Sequence, residues 1–151
     1  MTTQARFTYR TDPAIPTFPD DKPIIVFDGM CVLCSCFAQL VLKRDTARRY
    51  RLIAIQSPLG SALARHYGID PLKPYTSLLI QDGRVWERAN AAIEILRHLR
   101  FPWSMAIAGK ILPRPISDWL YFRIARNRIT LFGARDTCLM PDPADKDRFL
   151  T

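Results

Sequence analysis

Cys31 and Cys34 stand two residues apart around Val32-Leu33, a spacing that serves two chemistries. Such a pair can form a reversible disulfide, or it can hand two thiolates to a metal ion. Its position along the chain favours the first. At the start of a helix, free backbone N–H groups and the positive end of the helix dipole favour a thiolate at the N-terminal cysteine. Cys31 is then the better nucleophile. Cys34, one turn in, is placed to attack a mixed disulfide and release the reduced substrate. Val32 and Leu33 are uncharged, so stabilisation of the thiolate must come from the helix terminus and its surroundings.

Asp28 lies three residues before Cys31. A carboxylate there could take the proton of Cys34 during exchange. It could equally be a turn residue that binds nearby backbone N–H groups. An anion at this place opposes formation of a thiolate, so the two roles pull against each other. Cys36 falls on roughly the opposite side of the helix from Cys34 and reads as a core or surface thiol. Cys138 is remote but sits on a tail that could fold back, to pack or to serve as a third redox thiol. Cys31, Cys34 and Cys36 with His66, His98 or Cys138 could also make up a thiolate and imidazole metal set. No second Cys-x-x-Cys and no His pair at finger spacing accompanies them. His66 and His98 otherwise read as surface or core residues, and the tryptophans and tyrosines as core or its rim.

The elements that must position this corner follow from hydrophobic patterning. Residues 1–23 hold Pro13, Pro16, Pro19 and Pro23 with little periodicity and read as an extended or disordered arm. Ile24 to Phe27 is a short apolar run, the pattern of a strand buried on both faces. From Val32 to Arg44 an apolar stripe of Cys34, Phe37, Ala38, Val41 and Leu42 predicts a helix, with Lys43 and Arg44 at its negative end. Arg51 to Ile55 follows as a strand. A short helix from Ser61 to Tyr67 is stopped by Gly68 and then Pro71. Ser77–Ile80 and Arg84–Glu87 flank Gln81-Asp82-Gly83, a hairpin signal. A further helix spans Ala89 to Leu99, with Asn90 as its N-cap. The crossover helix makes the first two strands parallel, and the hairpin adds an antiparallel edge. Strand, helix, strand, helix, hairpin, helix is the order of a thioredoxin-like α/β fold over residues 24–100. Residues 101–151 read as a helical C-terminal extension packed on the same domain. Its last helix runs from about Ile116 to Asn127, with Ile116, Leu120 and Ile124 on one face and Trp119, Tyr121 and Phe122 nearby.

Composition narrows the function classes. The chain has 151 residues, room for one core of useful size. Its apolar fraction is 48% and its charged fraction 24%, values of an ordinary globular protein. No run reaches the length of a membrane span, and Met1 to Arg6 is not followed by an apolar signal region. A cytoplasmic location is expected, where cysteines serve catalysis or metals more than structural bridges. The net charge of +8 raises the question of nucleic acid, but the arginines are spread along the chain and no reading element stands out. Nucleic acid is therefore not expected as a partner.

Asp28-Gly29-Met30-Cys31-Val32-Leu33-Cys34 resembles the signature of the DCC family of thiol-disulfide oxidoreductases, named for its Asp-x-x-Cys-x-x-Cys motif. The resemblance continues through Leu78 to Val85, Ala91-Ala92, Tyr121 to Arg128, Leu131-Phe132-Gly133, Cys138 and Arg148-Phe149-Leu150. It implies a thioredoxin-like domain with a mixed central sheet, Cys31 and Cys34 as the redox pair, and Asp28 beside them. Thioredoxins place a cis-proline before the third strand, facing the dithiol; the matching position here is Thr76, with Pro74 two residues too early. The expected activity is thiol-disulfide exchange without a dissociable cofactor or metal. The substrate would be a protein or small-molecule disulfide, and a separate reducing partner would supply electrons. A thiolate metal-binding module and a basic module for an acidic partner, built on the Arg-rich C-terminal helix, are the alternatives.

Overall fold

Strand β1, Ile24–Phe27, is buried along its whole length and lies at the centre of a five-stranded sheet. In the computed structural model, which describes residues 6–74, 76–99, 102, 104–105, 111–132 and 143–150, the order is β4-β3-β1-β2-β5. Strand β2 is Arg51–Ala54, β3 Leu78–Gln81, β4 Arg84–Glu87 and β5 Phe149–Leu150. β1 pairs with β2 in parallel and with β3 antiparallel, and β3 turns into β4 as a hairpin. Asp82 and Gly83 both have positive φ, at 51° and 73°, the mirror-image turn whose twist suits a two-residue hairpin.

Alternation along β1 divides the core into two layers. Ile24 and Val26 join Ile53, Ile55, Leu78 and Ile80 under helix α2, Pro58–His66. Ile25 and Phe27 join Leu52 and Leu79 under helix α1, Val32–Arg44, and helix α3, Arg88–Arg97. Helices on both faces explain why the strand reads as a continuous apolar run. Helix α4, Arg114–Phe132, packs on α1 and α3. The mixed sheet, its direction changes and its flanking helices are those expected of a thioredoxin-like α/β fold.

Four local expectations need correction. Helix α2 starts three residues before Ser61, because Ser57 caps it through a bond from the Gly60 N–H and Pro58 occupies its first turn. Asn90 does not cap α3. The chain passes directly from β4 into the helix through Arg88 at φ 58°, and the Arg88 N–H donates to Thr76 Oγ1 at 2.9 Å, so a threonine remote in sequence does the capping. α4 is longer than Ile116–Asn127 and turns its expected apolar face outward. Ile116, Leu120 and Ile124 are exposed, and Trp119 is exposed rather than at the core rim. The face that packs is anchored by Tyr121, whose hydroxyl meets Thr76 Oγ1 at 2.9 Å, and by Phe122, which lies under the Arg88 guanidinium.

The fourth correction concerns residues 1–23. From residue 6 onward this segment is not an extended or disordered arm. Thr8–Thr11 form a 3-10 turn, and Tyr9 and Ile15 are buried in the α2-side core with Phe7 and Phe18 against them. His66 on α2 holds the turn by donating from Nδ1 to Asp12 at 2.7 Å while its Nε2 meets Thr8 Oγ1 at 2.9 Å. Burial of these aromatic side chains offsets the cost of ordering a proline-rich segment.

At the other end, β5 adds parallel to β2 and brings Arg148 into the interior. Arg148 and Asp45, about 4% and 3% exposed, pair at 2.5 Å; the guanidinium also donates to the carbonyls of Tyr50 and Leu42. Asp45 is the C-cap of α1, so the cation lies at the negative end of that helix. Removing one partner of a buried pair leaves the other uncompensated. Arg148→Ala is expected to lose about 3–5 kcal/mol of unfolding free energy, measured by urea titration.

Candidate functional site

The Cys-x-x-Cys corner begins where β1 ends. Asp28 follows Phe27, its carbonyl accepts from the Cys31 N–H at 3.3 Å, and the tight loop 28–31 delivers the chain to α1. Cys31 is the N-cap residue of that helix. Its Sγ accepts from the Cys34 backbone N–H at 3.5 Å, in the role that a serine or aspartate side chain fills at other helix starts. The sulfur is thereby placed at the positive end of a thirteen-residue helix.

Asp28 is 7% exposed, and its Oδ1 is a junction. It accepts from the Met30 N–H at 3.0 Å and from Gln56 Nε2 at 2.7 Å. The same Gln56 carboxamide accepts the Gly29 N–H at 3.1 Å through Oε1. The Gly29 carbonyl in turn accepts from the buried Ser35 hydroxyl at 3.1 Å. Both polar groups of the Gly29 residue are thus satisfied by side chains, one from the end of β2 and one from inside α1. This bracing lets an irregular loop stay buried.

Burial separates the two cysteines. Cys31 is 1% exposed, whereas Cys34 is half-buried and Cys36 lies on the exposed side of the helix. The expectation that Cys36 lies away from Cys34 fits its exposed position. Cys138 falls outside the described residues. His66 is engaged with the N-terminal turn. His98 Nδ1 donates to the Glu94 carbonyl at 2.9 Å and lies 3.1 Å from the Tyr50 hydroxyl. Among the described residues no three Cys, His, Asp or Glu side chains come together to hold a metal ion. Thr76, expected at the cis-proline position, is buried with its hydroxyl between the Arg88 N–H and Tyr121.

Gln56 and Ser35 were not legible as site residues. Ser35 looks like any small residue in a helical stripe. The one signal for Gln56 was its place just past the end of a strand parallel to the one that carries Asp28, since sites gather at such strand ends.

A family model described as DCC1-like thiol-disulfide oxidoreductase matches residues 25–134. The uncharacterized protein YuxK of Bacillus subtilis (strain 168) is 35% identical over 127 residues, 84% of this chain and 93% of that protein. A chloroplastic DCC family protein of Arabidopsis thaliana is 31% identical over 120 residues, 79% of this chain and 70% of that protein. No solved structure matches. No helix among the described residues is long and apolar enough to cross a membrane.

Two outcomes follow from this geometry. Ser35→Ala leaves the buried Gly29 carbonyl without its side-chain donor and should cost about 1–3 kcal/mol in denaturant unfolding. In pulsed maleimide labelling read by peptide mass spectrometry, Cys36 should react at a rate that sub-denaturing urea leaves unchanged. Labelling of Cys31 should accelerate with urea, because its sulfur is reached through local opening.

Proposed function

Since the chain belongs to the DCC1-like thiol-disulfide oxidoreductase family, we propose that it exchanges disulfides through Cys31 and Cys34, with Cys31 as the attacking thiolate. The observation that carries this reading is the cap. Cys31 Sγ takes the Cys34 N–H at the start of α1, an arrangement that favours sulfur as an anion over sulfur as a thiol.

The exchange proceeds in two displacements. The Cys31 thiolate attacks one sulfur of a substrate disulfide, forming a mixed disulfide and expelling the other sulfur as a thiolate, which takes a proton from solvent. Asp28 then accepts the proton of Cys34, and the Cys34 thiolate attacks Cys31 Sγ. The Cys31–Cys34 disulfide forms, the second substrate sulfur leaves as a thiolate, and two electrons have passed from the dithiol to the substrate. A reducing thiol partner runs the same steps backwards to regenerate the dithiol. With Cys31 at 1% exposure in the resting state, the first displacement follows a local opening over the sulfur. The substrate is a disulfide of a protein or of a small molecule, and the chemistry is complete with side chains alone.

Redox titration in glutathione buffers with mass-tagged alkylation tests the reading. Cys31 and Cys34 should pass together between dithiol and disulfide. Cys34→Ser should accumulate a mixed disulfide on Cys31, and Cys31→Ser should abolish exchange. If the two cysteines stay unlinked at every potential, the reading fails.

A further inference from the structure

We infer that Gln56 is the positioning residue for Asp28, fixing the carboxylate that receives the Cys34 proton. The inference rests on the proposed dithiol exchange and adds to it a residue from outside the Asp-x-x-Cys-x-x-Cys segment. The backbone brings Gln56 to the place. Ile55 N–H donates to the Phe27 carbonyl at 2.8 Å, continuing the β1–β2 pairing, so the next residue on each strand is Gln56 on one side and Asp28 on the other.

The carboxamide is used at both ends. Its oxygen is committed to the Gly29 N–H at 3.1 Å, which leaves the amino group facing Asp28 Oδ1 at 2.7 Å. An amide rotated by half a turn would set oxygen against carboxylate and nitrogen against N–H, so the orientation is determined by the partners. Oδ1 also takes the Met30 N–H at 3.0 Å. With these donors converging on one oxygen, the plane of the carboxylate is set. Gln56 is itself an exposed residue, so the bond is made by geometry and not enforced by burial. A side chain held only for packing would not need a donor at one end and an acceptor at the other. Proton transfer depends on such placement, because small misalignments of a base cost large factors in rate.

The two displacements can be timed separately with an aromatic disulfide such as dithiobis(nitrobenzoate), in the Cys36→Ser/Cys138→Ser protein, in which Cys31 and Cys34 are the remaining thiols. Attack by Cys31 releases one aromatic thiolate and adds the other to the protein; resolution by Cys34 removes that adduct, which quenched-flow mass spectrometry follows. Gln56→Met should slow the loss of the adduct by roughly tenfold to a hundredfold, well beyond any change in its formation. Asp28→Asn should slow the same step, and Gln56→Met should add nothing in that background, the mark of two residues acting as one. Gln56→Glu retains the acceptor for Gly29 but sets a carboxylate against Asp28. Its resolution rate relative to the parent protein should recover as pH falls and a proton, shared between the facing carboxyls, restores the bond. Equal slowing of both steps by Gln56→Met, additivity with Asp28→Asn, or an unchanged resolution rate would each overturn the inference. An adduct on the Gln56-containing parent that never resolves would instead defeat the dithiol reading itself.

Discussion

The parallel pairing of β1 with β2 is the constraint on which the site depends. Parallel strands bring their C-terminal ends side by side, with Phe27 opposite Ala54, and the residues that follow emerge at the same edge. One exit is Asp28 and the loop to the dithiol helix; the other is Gln56 and the capped start of α2. Neither exit is regular structure, and each completes the other: a side chain from the β2 end satisfies the backbone and carboxylate of the β1 end. An antiparallel partner would have put a strand's beginning there. The close approach of α2 to the sheet belongs to the same arrangement. A Cβ on Gly60 would lie 2.1 Å from the Ala54 carbonyl oxygen, so only glycine lets the helix start so near the strand it follows.

Much of this was readable from residue types. The apolar run of β1, the stripe from Val32 to Arg44 and the Asp82-Gly83 turn each carry a strong local preference that agrees with the fold, and those elements match the structure closely. The dithiol and Asp28 were legible because they stand within one short segment. Gln56, Ser35 and the capping role of Thr76 are not, because these roles exist only after strands and helices have come together. Nothing local distinguishes a threonine that caps a helix twelve residues later from any other threonine. The N-terminal segment departs from its local pattern for a related reason: its prolines are a local signal, whereas the places that receive Tyr9 and Ile15 are made by α2 and the sheet.

Helix α4 shows how polar contacts can override an apolar pattern. Ile116, Leu120 and Ile124 form a regular stripe, yet the helix is rotated so that Tyr121 reaches Thr76, Phe122 lies 4.6 Å from the Arg88 guanidinium and Asp118 faces the same arginine. These bonds tie α4 to the start of β3 and to the β4–α3 junction, two places where the backbone leaves regular structure and needs partners.

The Arg148–Asp45 pair introduces an order in time. The dithiol motif is made early by the ribosome, but the residues that seal the far end of its helix and give β2 its second neighbour are Arg148, Phe149 and Leu150. Until they leave the exit tunnel, Asp45 has no buried cation and β2 has an open edge. The far end of the dithiol helix and the outer edge of the sheet are thus closed by the same three residues, so that loosening residues 148–150 would open both at once.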